Sequence, residues 1–189
     1  MNVSKRADSH EEASCKMVLR SVGVIKNKVR EPSLKAVQSG IRLQKQIVAI
    51  RKEILKSHQE ISEIIINKDM VDLLDGIEQY SHLVVLCWAH KVPNKSRFLT
   101  RVHPMGRKEI PMVGIFCTCS PARPNPVLMS VVRLRGIKEN VLQVTGLDAV
   151  DGSPVIDIKP YVKEFYPQKK VFIPEWMQKI QQEFADCYE

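Results

Sequence analysis

Short runs of alternating or continuous apolar residues occur along most of the chain and predict strands. Val18–Ile25 alternates loosely, and Glu60–Asn67 is a second run rich in isoleucine. Tyr80–His90 is almost continuously apolar, which is typical of a central strand buried on both faces. Further strands are predicted at Met112–Cys119, Ser130–Arg135, Val141–Leu147 and Val155–Ile158, with Lys138–Asn140 joining two of them as a hairpin.

Apolar residues at helical spacing occur in two segments. The first is Ser33–Ser57, in which Ser33 would be the N-cap and Gly40 would weaken the middle. Its apolar face is formed by Leu43, Ile47, Ile50 and Ile54. The second is Pro174–Asp186, whose apolar residues are interpreted as packing against the core or a dimer partner: Trp176, Met177, Ile180 and Phe184.

Strands outnumber helices, and no β-α-β alternation is present, so the pattern predicts a mainly β protein built as a single β-barrel. We expect a flexible tail at 1–17 and a barrel domain at 18–166, with the amphipathic helix inserted at about 33–57. Residues 167–189 would carry the C-terminal helix, packed on the barrel or on a dimer partner. No apolar run approaches the roughly 18 residues of a membrane helix, so no membrane partner is expected.

The chain has five cysteines, at positions 15, 87, 117, 119 and 187. An odd number does not suit a disulfide framework, so a reducing cytoplasm is the expected location. Cys117 and Cys119 would lie on one face of a strand. Because no CxxC motif or histidine pair accompanies them, no metal site is predicted.

Positive charge is concentrated in two segments of this chain, whose net charge is +8. Lys26–Lys56 holds nine basic and two acidic residues, and Lys91–Lys108 holds six basic residues and no acidic one. Such segments favour a nucleic-acid phosphate backbone, although a solvated basic surface explains them equally well. The candidate RNA-binding residues are Arg42, Lys45, Arg51, Lys52, Arg101, Arg107 and Lys108.

Two rigid loops lie between apolar strands, at Ser120–Pro126 and Leu147–Pro154. With their flanks they read ARPNPVLMSVVRL and GLDAVDGSPVIDIKPY, and these motifs resemble the TsaA-like (YaeB/TrmO) family, in an archaeal-type variant. The resemblance covers roughly Val18 to Tyr166. It implies an S-adenosylmethionine-dependent methyltransferase, a homodimer, that acts on N6 of threonylcarbamoyl-adenosine next to the anticodon of tRNA. No glycine-rich nucleotide loop is present, and the family binds its cofactor on a β-barrel instead.

The resemblance also implies which residues form the site. Those expected to contact the cofactor are His90, Lys91, Cys119, Arg123, Met129, Leu147, Asp148, Ala149 and Val150. Those expected to act in catalysis are Asn125, Asp157, Lys159 and Tyr161. Arg123 would hold a carboxylate, and Asp157 would orient the acceptor nitrogen. Turn formation is the alternative role for Asp148, and a salt bridge along one strand is the alternative for Asp157 with Lys159.

Three departures from the family pattern bear on function. Cys119 stands where an arginine is expected, and Val127-Leu128 stands where Ile-Gly is expected. A Pro-Arg-Gln motif that helps to line the cofactor pocket is missing between Lys28 and Ser57. Two other hypotheses therefore stand beside the first: a catalytically weakened module that binds S-adenosylmethionine or RNA, and a methyltransferase with a different acceptor.

Overall fold

Six antiparallel strands close into a barrel in the computed structural model, which describes residues 17–37 and 40–185. The described residues form ten strands, of which these six belong to the barrel. In chain order the ten are β1 (Gly23–Lys26), β2 (Leu34–Val37), β3 (Gly40–Leu43), β4 (Ser62–Ile66), β5 (His82–Trp88), β6 (Arg101–Val102), β7 (Val113–Gly114), β8 (Val127–Lys138), β9 (Val141–Thr145) and β10 (Pro154–Pro160). The order around the barrel is β1-β10-β5-β8-β9-β4. The predicted mainly β, barrel architecture is confirmed.

Aliphatic side chains from all six strands fill the barrel. Those exposed by 1% or less are Ile25, Ile64, Leu83, Val85, Val132, Leu142, Val144 and Val155. Along β5 the inward side chains alternate with Val84, which is itself only 6% exposed. Burial on both sides of this strand explains its nearly continuous apolar sequence and confirms the prediction of a central strand.

The barrel closes at β1, which is shorter than predicted. Residues before Gly23 lie outside the strand, although the Val22 amide donates to the Val155 carbonyl at 2.8 Å. Gly23 pairs with Val155 on β10 and with Ile66 on β4. A Cβ atom at position 23 would lie 2.4 Å from the Ile65 carbonyl oxygen. Only glycine lets the two backbones approach this closely.

The predicted helix Ser33–Ser57 is wrong in its first half. That half is the hairpin β2–β3, and the helix α1 covers only Ile47–Gln59. Gly40 has φ +141°, which a helix does not allow. Ser33 does not cap the helix, and its hydroxyl donates to a carboxylate oxygen of Glu53 at 2.9 Å.

The C-terminal helix α2 (Glu175–Glu183) packs on α1 through a second, smaller apolar cluster. Ile50 and Phe184 are its buried members, and Ile180 packs against them. Arg107 strengthens this contact, because its Nη1 lies 2.7 Å from Glu183 Oε2. The interpretation of Ile180 and Phe184 as packing residues is therefore confirmed.

The segment Val92–Pro111, which contains most of the second basic segment, is folded onto the body of the protein. It contains short 3₁₀ turns and the strand β6, and Ser96, Val102 and Ile110 are buried. The strand predicted at Met112–Cys119 is also wrong, since β7 has only two residues and a 3₁₀ turn follows at Ile115–Cys117. Cys117 and Cys119 therefore do not share a strand face.

The predicted β8–β9 hairpin is present and turns at Glu139, whose φ is +53°. A 3₁₀ helix covers Lys68–Leu74, and Gly76 follows with φ +81°. No helix among the residues that the structure describes is long and apolar enough to cross a membrane.

Candidate functional site

Three segments meet at the end of the barrel where β5 finishes and β8 begins. The Ala89 amide donates to the Pro126 carbonyl at 2.8 Å, which ties the end of β5 to the Ser120–Pro126 loop. The Asp148 amide donates to the Ser130 hydroxyl at 3.2 Å, which ties the Leu147–Pro154 loop to β8. Most of the predicted cofactor residues therefore belong to one end of the barrel.

Asp148 is the most unusual group at this end. The residue is solvent-accessible, yet protein surrounds its carboxyl closely, and desolvation raises the pKa of that carboxyl. Because solvent reaches this residue while protein lies close around its carboxyl, we call the place the cleft at Asp148. Within the described ranges its carboxylate has no hydrogen-bond or ionic partner. A crowded carboxylate without a partner suits a ligand that brings hydroxyl or amino groups.

Leu147 and Ala149 flank Asp148 and are 3% and 6% exposed. Beneath the carboxyl lies Cys87, the last inward residue of β5. Burial, followed by the charge of Asp148, raises the pKa of the Cys87 thiol to about 11. The thiol therefore stays neutral at physiological pH, and the Asp148 carboxyl lies beside an apolar base.

His90 lies over the loop at Gly152. A Cβ atom at position 152 would meet the His90 ring at 3.9 Å, and Gly152 has φ +78°. The ring Nδ1 lies 3.3 Å from the Ser153 hydroxyl, which donates to the Val150 carbonyl at 2.7 Å. Burial, and then the neighbouring Lys91, lower the pKa of His90, so the imidazole is neutral at pH 7. It is suited to hydrogen bonding rather than to carrying charge.

The segment 27–31 borders the same loop, and sequence reasoning missed it. Asn27 donates from Nδ2 to the Ala149 carbonyl and from its amide to Asp151 Oδ1, both at 2.9 Å. Arg30 pairs with Asp151, and Glu31 pairs with Lys91 at 3.0 Å. An asparagine directly after a strand was the available signal, but its partners lie about 120 residues away in the chain.

Arg123 holds the Ser120–Pro126 loop together from within. Its Nε donates to the Ser120 carbonyl at 2.8 Å, and its Nη2 donates to the Thr118 carbonyl and, at 3.4 Å, to the Ile115 carbonyl. The structure thus gives Arg123 a positioning role in the loop. Capture of a ligand carboxylate by the same side chain stays a prediction.

Replacing Arg123 by lysine should lower the stability of the fold. A lysine ammonium cannot reproduce the planar set of donors that spans these carbonyls. Losing one or two such bonds costs about 1–2 kcal/mol, which is roughly 2–8 °C in the unfolding midpoint of a chain of this size. Thermal unfolding followed by circular dichroism measures this, with the exposed Arg133→Lys as the matched control. Equal midpoints for the two variants would contradict the role.

Met129, Asp157 and Lys159 lie on the outer face of the barrel. Met129 and Asp157 both pair with Leu86, from opposite sides of β5, so about 10 Å separates their backbones. Met129 is 62% exposed. Lys159 Nζ lies 2.5 Å from Asp157 Oδ2, which is the salt bridge along one strand that was the alternative interpretation. Exposed pairs of this kind add little stability.

Tyr161 lies at the other end of the barrel from Asp148. Its amide donates to the His82 carbonyl at 3.0 Å, and its ring stacks on Tyr166 with centroids 4.9 Å apart. His82 and Cys87 are five positions apart along β5, which is roughly 17 Å. Asn125, by contrast, is exposed on the Ser120–Pro126 loop, near the cleft. The predicted catalytic residues are thus not gathered in one place within a single chain.

The candidate RNA-binding residues differ in ion pairing and in exposure. Arg107 bonds to Glu109 and Glu183, and Lys45 pairs with Glu53, so both are neutralised within the chain. The exposed members are Arg42, Lys52, Arg101 and Lys108, while Arg51 is partly buried. Across residues 17–37 and 40–185, no three His, Cys, Asp or Glu side chains gather as a metal site requires.

Comparison with known proteins bears on this site. The "S-adenosyl-L-methionine-binding protein" of Archaeoglobus fulgidus is 46% identical over 104 residues, 55% of this chain and 71% of that protein. A "probable S-adenosyl-L-methionine-binding protein" of Methanothermobacter thermautotrophicus is 48% identical over 105 residues, 56% of this chain and 72% of that protein.

A solved structure has the same fold. The crystal structure of TrmO from Pseudomonas aeruginosa aligns with a TM-score of 0.62 at 23% identity, and covers 88% of this chain and 64% of that one. The family model described as "tRNA-methyltransferase O N-terminal domain" matches residues 27–166, which include both loops and the whole cleft. The chain therefore belongs to the tRNA-methyltransferase O N-terminal domain family.

Proposed function

We propose that this protein is an S-adenosylmethionine-dependent methyltransferase whose substrate is N6 of threonylcarbamoyl-adenosine, next to the anticodon of tRNA. Membership of a tRNA-methyltransferase family and the names of its relatives support methyl transfer from S-adenosylmethionine. The particular adenosine is the finer part of the proposal. We further propose that the protein acts in the cytoplasm and as a homodimer.

The observation that carries the proposal is the unpartnered carboxylate of Asp148. Its desolvation is unfavourable for the protein alone and is offset when a ligand donates hydrogen bonds to it. S-Adenosylmethionine offers ribose hydroxyls and amino groups, which are the donors that this acceptor lacks. Its chain neighbours Leu147 and Ala149 are buried, so the carboxylate stands beside an apolar base.

The residues around the cleft have the following proposed roles. When bound, S-adenosylmethionine supplies a methyl group activated on a sulfonium, and N6 of the acceptor releases one proton in exchange. Asp148 accepts hydrogen bonds from the ligand, and neutral His90 contributes a second polar contact. Arg123 fixes the loop that carries Asn125. Catalysis then depends mainly on alignment and exclusion of water, because a sulfonium needs no strong acid to leave.

Asp157 is proposed to orient the acceptor nitrogen. Within one chain it lies on the outer face of the barrel, so the acceptor would approach over that face, near Met129. Asn27–Glu31 is proposed to close the side of the cleft that the missing Pro-Arg-Gln motif lines in relatives, because Asn27 and Glu31 hold the loop and Lys91.

Incubation with S-adenosylmethionine and tRNA should test the activity directly. We expect N6-methylated threonylcarbamoyl-adenosine after digestion to nucleosides and mass spectrometry. The same tRNA lacking the threonylcarbamoyl group is the matched control and should stay unmethylated. Saturable cofactor binding without any product would favour the weakened binding module, and a methylated nucleoside at another position would favour a different acceptor.

A further inference from the structure

A second cleft, of about 810 Å³, lies on the far side of the loop that Arg123 braces. It runs between the basic segment that follows β5 and the 3₁₀ turn before the Ser120–Pro126 loop. Its lining residues include Arg97, Phe98, Thr100, Ile115, Phe116 and Pro124. Most of these side chains are apolar, and Arg97 and Thr100 are the polar ones among them.

Two phenylalanines at this cleft expose nearly all of their surface. Phe98 is 83% exposed and Phe116 is 79% exposed. A single exposed aromatic ring is ordinary, but two rings on one cleft leave a large apolar area in water. Each ring also offers a flat face on which another planar group can stack.

Arg97 lies in the same cleft with an unmet hydrogen bond. Its guanidinium carbon lies 5.3 Å from the centroid of the Trp88 ring, which holds the group flat against an aromatic surface. Its Nε is buried and has no acceptor in the part of the chain that the structure describes. Arg97 thus brings a positive charge to the wall of the cleft, which suits an anionic ligand.

Charge decides what kind of ligand fits. The surrounding segment Lys91–Lys108 holds six basic residues and no acidic one. Two of these, Lys91 and Arg107, pair with acidic residues outside the segment or next to it, whereas Lys95, Arg101 and Lys108 are exposed. An apolar peptide would leave this positive charge without a partner. A base-paired nucleic-acid duplex would present only base edges and phosphates to the phenylalanines. An unpaired nucleotide supplies a stacking face, acceptors and a negative phosphate together.

We propose that this cleft binds an unpaired base of an RNA strand, stacked on Phe98 and Phe116. The guanidinium charge of Arg97 attracts the phosphate of that nucleotide, and the exposed Lys95 and Arg101 lie along the rest of the strand. The inference rests on the proposed function to the extent that the acceptor molecule is an RNA. The proposed site is a base-binding position outside the cleft at Asp148. It would determine how the protein holds a single-stranded RNA loop.

The experiment measures binding of a fluorescein-labelled RNA hairpin with the sequence of a tRNA anticodon arm, by fluorescence anisotropy. The variants are Phe98→Leu, Phe116→Leu and the double variant, which keep an apolar side chain but remove the ring. Each single change should weaken hairpin binding roughly tenfold, and the double change should weaken it more. A blunt RNA duplex of equal charge should bind all variants as it binds the wild type.

Phe165→Leu is the matched control, because Phe165 is 82% exposed but does not line the cleft. It should leave hairpin binding unchanged. Titration of the same variants with S-adenosylmethionine separates the two proposals. Normal cofactor binding with unchanged hairpin binding in the double variant would overturn the base-binding cleft and leave the proposed function standing.

Equal weakening of hairpin and duplex would also overturn the inference, because it would show an electrostatic surface without base stacking. If the wild-type protein does not bind S-adenosylmethionine, the proposed function is contradicted instead. In that event, a selective loss of hairpin binding in the phenylalanine variants would still support a single-stranded RNA site.

Discussion

Asp148→Asn should weaken S-adenosylmethionine binding by about 10- to 100-fold and, at neutral pH, raise the stability of the protein without ligand. The first effect follows because an ionised acceptor makes hydrogen bonds worth about 1.5–3 kcal/mol, most of which a neutral amide loses. The second follows because desolvation of this carboxylate is unfavourable in the folded state. Opposite changes in affinity and stability are typical of a binding residue, not of a structural one.

The stability of the protein and its affinity for the cofactor should depend on pH in opposite directions. Desolvation raises the pKa of Asp148 in the folded protein above its value in the unfolded chain. Its penalty on stability is therefore absent below the unfolded pKa and develops as the pH rises towards the folded pKa. Cofactor affinity changes in the other direction, because the ionised form binds. We expect affinity to fall on acidification at a pH above the usual range of an aspartate.

Calorimetric titration and thermal unfolding of the same preparations measure both effects. Asp151→Asn is the matched control, since this carboxylate lies in the same loop but pairs with Arg30 and accepts from the Asn27 amide. It should not become more stable, because the lost charge had partners. If Asp148→Asn binds S-adenosylmethionine as the wild type does, the cleft at Asp148 is not the cofactor site.

Gly23→Ala should destabilise the protein by about 3 kcal/mol, the upper part of the range for overpacked sites. The added methyl group would lie 2.4 Å from the Ile65 carbonyl oxygen, and that oxygen belongs to a paired backbone that cannot move alone. In a chain of this length the unfolding midpoint should fall by roughly 6–12 °C. Differential scanning calorimetry measures the change.

Gly114→Ala is the matched control for the closure of the barrel. Nothing lies within 4 Å of a Cβ atom built at that glycine, and its φ is not positive. It should be neutral or slightly stabilising, because alanine restricts the unfolded chain. A drop in midpoint as large as that of Gly23→Ala would mean that the close approach at the barrel seam is not what destabilises the variant.

The parts of the fold that the sequence predicts well are those fixed by burial. The run Tyr80–His90 is apolar because β5 has neighbours on both sides and a covered outer face, so its pattern and its place agree. The β8–β9 hairpin is likewise predictable, because its turn is local. Helical spacing also identified α2 and α1, and α1 corresponds to the second half of the predicted helix Ser33–Ser57.

The predictions of secondary structure are wrong where the short-range sequence pattern and the tertiary packing disagree. Leu34–Leu43 is apolar enough for either a helix or a hairpin, and Gly40, with φ +141°, decides for the hairpin. Met112–Cys119 reads as a strand, yet it turns after two residues because Ile115 is drawn into the interior beside Thr100. Pattern alone has no information about such partners.

The candidate site was likewise only partly predictable from the sequence. The two loops were identifiable as motifs, and the structure brings most of their residues to one end of the barrel. The roles of Asn27 and Ser130 were not identifiable, because each acts through a contact with a loop distant in sequence. Nor could the sequence show that Tyr161 lies at the opposite end from Asp148.

The closure of the barrel between β1 and β10 also constrains how the chain folds. These strands are about 130 residues apart in sequence, so their pairing has a high entropic cost before any contact rewards it. During synthesis the β8–β9 hairpin can form early, but β1 must wait until β10 has left the ribosome. Closure of the seam at Gly23 is therefore expected to be the slow step of folding.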